Sequence, residues 1–110
     1  MRDDREKLLD MLEAIEKINA RTMGDKGLFE RDEVIQVWAL YHIQLIGEAA
    51  SRLSESLRNN NPHVPWPDIV AMRNVIVHHY FGIDLDQIWD AITDDLPALK
   101  AWITEMLDDI

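Results

Sequence analysis

Apolar residues return every three or four positions along most of the chain, the period of an amphipathic helix. Leu8, Leu12, Ile15 and Ile18, with Leu9 and Met11 beside them, predict a first helix from about Asp3 to Arg21. Met23-Gly24-Asp25-Lys26-Gly27 follows, with glycines suited to a helix stop. A long second helix is predicted from about Glu30 to Leu57, and it carries two stripes. Ile35, Ala39, His42, Ile46, Ala49, Leu53 and Leu57 form one; Val34, Trp38, Tyr41, Leu45, Glu48 and Arg52 form the other. One stripe covers an intramolecular core, so the second implies a wide buried face or a partner helix. Gly47 inside this helix costs about 1 kcal/mol relative to Ala, which argues for a packing reason.

Asn59-Asn60-Asn61-Pro62 breaks the pattern. A third helix starts at Pro65-Trp66-Pro67-Asp68 and is expected to reach about Tyr80, stopping near Gly82. Asp84-x-x-Gln87 resembles a capping box opening the last helix, whose apolar positions run from Leu85 to Ile110. Pro97 removes a backbone donor inside that run, so a kink or a break is expected there. The expected fold is all-α: one domain over residues 1–110, an up-and-down bundle of four principal helices that dimerises.

Composition narrows the function. A chain of 110 residues with 47% apolar content can bury a core. With no cysteine, a disulfide scaffold, a thiolate zinc site and a cysteine nucleophile are excluded, and a reducing, cytoplasmic setting is expected. The charged start MRDDREKLLDMLEAIEK lacks the apolar region of a signal peptide, and no membrane span is expected. The net charge of −10 argues against loose, charge-driven binding of nucleic acid, but it is unevenly spread. Residues 34–82 hold three basic and three acidic residues, while residues 83–110 hold one basic and eight acidic ones. All four histidines, His42, His63, His78 and His79, lie in the neutral middle, where an anionic substrate would go.

Arg73-Asn74-Val75-Ile76-Val77-His78-His79-Tyr80 is the chemically informative stretch. At about 100° per residue, Arg73 and Tyr80 share a helical column, and Asn74 and His78 lie one turn apart in the next column. Such a set suits metal-free chemistry on an RNA phosphodiester. Histidine exchanges protons near neutral pH, a guanidinium fork stabilises charge on phosphorus, and asparagine can hold a phosphate oxygen or the imidazole ring. Tyrosine adds a hydroxyl or a stacking face. Taken alone, these four residue types on a helix are more often capping and hydrogen-bonding groups than a catalytic set.

The ordered motif Arg73-Asn74-x3-His78-x-Tyr80 resembles the signature of the HEPN superfamily, and more narrowly its HepT-type members, the toxin partners of minimal nucleotidyltransferases. Ile46-Gly47-Glu48-Ala49-Ala50, Pro65-Trp66, Phe81-Gly82-Ile83-Asp84 and Ile88-Trp89 extend the likeness over roughly residues 8–105. The resemblance implies a homodimer with a composite site at its interface, acting as a metal-independent endoribonuclease toxin of a type VII-like toxin–antitoxin system. It implies that Arg73 stabilises the transition state, that His78 is the general acid or base, and that Asn74 supports the site. The RNA's own 2′-OH would attack. It implies that Tyr80 receives AMP from a cognate nucleotidyltransferase antitoxin, which silences the nuclease. Expected partners are RNA, a second copy and that antitoxin; DNA, a membrane, a metal and a cofactor are not expected. The alternative is a non-catalytic module that binds nucleotide or substrate beside a nucleotidyltransferase.

Other residues receive plainer readings. His42 is expected to be a satisfied core histidine, His63 to be exposed and His79 to be structural. For Glu48, a surface salt bridge to Arg52 and a supporting role at the dimer interface, orienting a basic residue, both stay open. The tryptophans are read as core or interface anchors. Asp86, Asp90, Asp94 and Asp95 are read as a solvated acidic face, with a docking surface for a basic antitoxin as the runner-up.

Overall fold

The computed structural model describes residues 2–74 and 84–110, and those residues form helices and short connections with no strand among them. The elements are α1 (Arg2–Thr22), α2 (Lys26–Arg31), α3 (Glu33–Ser51), α4 (Glu55–Asn60) and α5 (Trp66–Ala71), the last running into a 3-10 turn (Met72–Asn74). After residues 75–83 come α6 (Leu85–Asp90), a π-helical turn (Ala91–Asp95) and α7 (Leu96–Asp109).

α1 packs against both α3 and α7, and α5 with its 3-10 turn packs on α3. The stripe of α1 that faces the core is Leu8, Met11, Ile15 and Ile18, alternating steps of three and four, so Met11 takes the central place expected for Leu12, which is only partly buried, and Leu9 is exposed. It meets Ala39, Ile43, Ile46 and Ala50 of α3 and Leu96, Leu99, Ile103 and Met106 of α7 in one apolar cluster. Phe29 of α2 is fully buried and packs against Trp89 of α6 with ring centroids 5.4 Å apart. Left-handed backbone at Met23 (φ +53°) and Gly24 (φ +67°) turns the chain after α1.

The single long helix expected from Glu30 to Leu57 is instead three pieces. Asp32 leaves the helical conformation, and its carboxylate accepts from the N–H groups of Val34 (2.9 Å) and Ile35 (3.3 Å), so it starts α3. At the other end Ser54 is extended and caps α4 by accepting from the Leu57 N–H (3.1 Å). Ser54 is also held by a residue far away in sequence. Its N–H and hydroxyl donate to the buried Asp4 carboxylate at 2.9 and 2.6 Å. Burial pushes the Asp4 carboxyl up, but these two hydrogen bonds outweigh it and hold its pKa below the ordinary value. The pattern of apolar positions runs through the second break because Leu53 and Leu57 still face the core.

The third helix begins at Trp66, is α-helical to Ala71 and tightens into a 3-10 turn over Met72–Asn74. Its expected continuation to about Tyr80 falls on residues outside the described ones. A 3-10 turn advances about 120° per residue rather than 100°, so the column geometry inferred from Arg73 does not hold at its first step. His78, His79 and Tyr80 lie outside the described residues.

The irregularity caused by Pro97 sits one turn earlier than the proline. The Leu96 N–H reaches back five residues to the Ala91 carbonyl, widening the helix into a π turn. That relieves the crowding the pyrrolidine ring imposes on the preceding turn, while the chain stays helical into α7. The Thr93 hydroxyl donates to the Trp89 carbonyl (3.1 Å), occupying an acceptor within the disturbed turn. Asp84 caps α6 as expected, accepting from the Gln87 N–H at 3.1 Å.

Candidate functional site

Arg73 reaches its place through the backbone of α3. The 3-10 turn lies so close to that helix that a methyl group added at Gly47 would overlap the Arg73 backbone nitrogen and come within 3.0 Å of its Cα and Cβ. Gly47 is thus the packing answer to a helix-interior glycine: only the missing Cβ lets the turn seat there. Its neighbour Glu48 then faces the same guanidinium, with Arg73 Nη1 3.9 Å from Glu48 Oε2. The other carboxylate oxygen accepts from Arg52 Nε at 3.2 Å. Glu48 thus makes the surface pair with Arg52 and also lies near the basic residue of the motif, with its side chain 45% exposed.

This arrangement yields a direct prediction. Gly47→Ala must push the Arg73 backbone, which is not a flexible side-chain end that can swing away. Overpacking of this kind costs about 1–3 kcal/mol of stability. A displacement of about 1 Å at a reacting group can cost on the order of 10²-fold in rate. Circular dichroism of Gly47→Ala should still show a helical protein with a lowered melting temperature, and RNA cleavage should fall by about that factor. Wild-type cleavage by this variant would remove Gly47 from the site.

Asn74 is exposed at the end of the same 3-10 turn. Among the described residues, the second stripe of α3 is largely exposed beside Glu48. Val34 is 72% exposed and Tyr41 53%, and Leu45 and the adjacent Val37 are exposed too. Trp38 alone is drawn inward, donating from Nε1 to the Lys17 carbonyl (3.0 Å) under the Arg21 guanidinium. A groove of about 450 Å³ runs between α1 and α3 and includes Lys7, Tyr41, Glu48 and Arg52 in its walls.

His42 is a satisfied core histidine, with Nδ1 2.7 Å from the Trp38 carbonyl, and His63 is exposed. Trp66 and Trp89 are buried anchors. The aspartates 86, 90, 94 and 95 are all exposed, as a solvated face requires. A second cavity, about 390 Å³, lies between α5 and the π turn, with Asp68 and Asp95 on an otherwise largely apolar wall. Partial burial, and then Asp94, Asp68 and Asp90, push the Asp95 carboxyl above its ordinary value. Its acidic lining makes it a poor place for a phosphate.

The Ribonuclease HepT-like family model matches residues 11–106. The chain belongs to the HepT-like ribonuclease family. Three relatives match over nearly their full lengths. "Putative RNase MJ0127" of Methanocaldococcus jannaschii is 34% identical over 113 residues, covering 99% of this chain and 91% of that protein. "Putative RNase MJ1380" of the same organism is 32% identical over 100 residues, covering 90% of this chain and 92% of that protein. "Probable ribonuclease HepT" of Thermococcus cleftensis is 31% identical over 102 residues, covering 90% and 91%. No solved structure matches the chain. HepT membership supports an RNA-cleaving enzyme of the HEPN type. No described helix is long and apolar enough to cross a membrane.

The motif led to Arg73 and Asn74, while Arg52 entered the sequence reading only as the surface salt-bridge partner of Glu48, four residues on, and that pair is present.

Proposed function

We propose that the protein is a metal-independent endoribonuclease, the toxin of a toxin–antitoxin pair, working as a homodimer with its site at the interface. The observation that carries this reading is the seat of Arg73: its backbone rests on Gly47, its guanidinium lies beside Glu48, and the open apolar face of α3 begins next to it. A second copy placed on that face would cover Val34, Tyr41 and Leu45 and bring two Arg73 groups toward one cleft.

In the proposed reaction the RNA's 2′-oxygen attacks the adjacent phosphorus as its proton leaves to a base. The P–O5′ bond breaks, the 5′-oxygen takes a proton, and a 2′,3′-cyclic phosphate remains. His78 transfers one of these protons. Arg73 stabilises the charge that builds on the equatorial oxygens, with its planar fork matched to phosphate. Asn74 and Glu48 support the site, Glu48 by holding the guanidinium until phosphate takes over.

Silencing would occur at Tyr80. Its phenolic oxygen attacks the α-phosphorus of ATP held by a nucleotidyltransferase antitoxin, pyrophosphate leaves, the phenolic proton passes to solvent or a base, and a tyrosyl-AMP ester forms. The added phosphate brings negative charge and bulk next to a site built for RNA phosphate.

The test is cleavage of a labelled RNA by purified protein in excess chelator, with the ends of the products identified. Cleavage leaving cyclic phosphate termini is the expected result. Activity that disappears with chelator and returns only with a divalent ion would overturn the metal-free mechanism.

A further inference from the structure

We propose that Arg52 is a second RNA-phosphate contact, one that grips the strand beside the phosphate bound by Arg73. The proposal rests on the ribonuclease reading above and adds to it a binding residue outside the motif.

Residues 34–82 contain three basic side chains, Arg52, Arg58 and Arg73, and two of them converge on one carboxylate. Contacts of 3.2 and 3.9 Å to the two oxygens of Glu48 hold the guanidiniums within the reach of neighbouring phosphates of one strand. The groove that Arg52 lines also holds Lys7 and Lys17 against Asp10 and Glu13, so the two arginines meet at Glu48 in a locally balanced setting within a protein whose net charge is −10. The Arg52 side chain is 68% exposed, so its link to Glu48 is a solvent-screened helix pair that a phosphate can replace. A guanidinium also suits a phosphate better than a point charge does, because it offers paired donors in one plane.

The main chain at Arg52 is better held than that of an ordinary surface arginine. Its N–H bonds to the Ala49 and Ala50 carbonyls at the end of α3. The next residue, Leu53, is buried, and Ser54 after it is tied to Asp4 of α1 by two hydrogen bonds. The side chain therefore swings from a fixed base, which lowers the ordering cost of meeting a phosphate. In this arrangement Glu48 spaces the two arginines while the site is empty, and RNA takes both.

The experiment compares wild type, Arg52→Gln and Arg52→Lys. Binding of a fluorescent 2′-O-methyl RNA, which cannot cyclise, is measured by anisotropy across a salt series, and cleavage of the matching unmodified RNA is measured at steady state. Arg52→Gln should keep the wild-type melting temperature and raise KM while leaving kcat within about twofold. The slope of log affinity against log salt should become shallower by about 0.7, the value for one lost phosphate contact on a single strand. Arg52→Lys should restore most of the slope. An unchanged slope in Arg52→Gln, with wild type binding and cutting normally, overturns the role of Arg52 alone. A fall in kcat with an unchanged slope means that Arg52 acts only through Glu48 and also overturns it. A wild type that neither binds nor cuts RNA overturns the ribonuclease reading along with it.

Discussion

His78→Ala should lower the rate of RNA cleavage by roughly 10²–10⁴-fold, the usual contribution of a positioned proton-transfer group. Arg73→Ala should be at least as damaging. In the proposed reaction, charge grows on the phosphate as the leaving oxygen separates, and the Arg73 guanidinium, passed from Glu48 to the bound phosphate, would stabilise that charge. The loss should appear mainly in kcat, because the interaction strengthens toward the transition state. Arg73→Lys should recover only part of the rate, since an ammonium lacks the planar fork. Single-turnover cleavage with excess protein measures these losses without interference from product release. The double variant should be less impaired than the product of the two single losses, because both groups act on one phosphorus. Full activity in His78→Ala would remove histidine from the chemistry. The Arg73 side chain is 43% exposed, so its truncation should leave the melting temperature close to wild type and the rate loss should not be an unfolding effect.

The second large effect concerns the switch at Tyr80. Co-expression with a cognate nucleotidyltransferase should add one or more AMP units to wild-type protein, each visible by intact-mass spectrometry, and should abolish cleavage. Tyr80→Phe should gain no such mass, because no phenolic oxygen remains to attack ATP. If its own activity is intact, it should stay toxic beside an active antitoxin. The proposed basis is competition: a phosphate tethered at Tyr80 would have a high effective concentration near Arg73 and would have to be displaced by a substrate phosphate. Modification that persists in Tyr80→Phe would place the acceptor elsewhere, and a modified wild type that cuts RNA at full rate would refute the switch.

The residues of the candidate site could be picked out because they stand in short segments. Arg73 and Asn74 are adjacent, the motif reaches Tyr80 within eight residues, and Glu48 stands four residues before Arg52. Each of those relations depends on local spacing, which the sequence carries directly. The link between Glu48 and Arg73 was legible only as an open alternative, because it joins two segments whose approach depends on packing.

The sequence by itself determined the helical class, the core stripe of α1, the cap at Asp84 and the disturbance caused by Pro97. These follow from periodicity, side-chain capping and a missing backbone donor, all of which act within a few residues. Tertiary structure decided where the second helix breaks, because the buried Asp4 of α1 takes both the N–H and the hydroxyl of Ser54. It also decided why Gly47 is a glycine. The reason is a backbone approach by Arg73 that no local pattern encodes, and that exists only once α3 and the turn after α5 pack together.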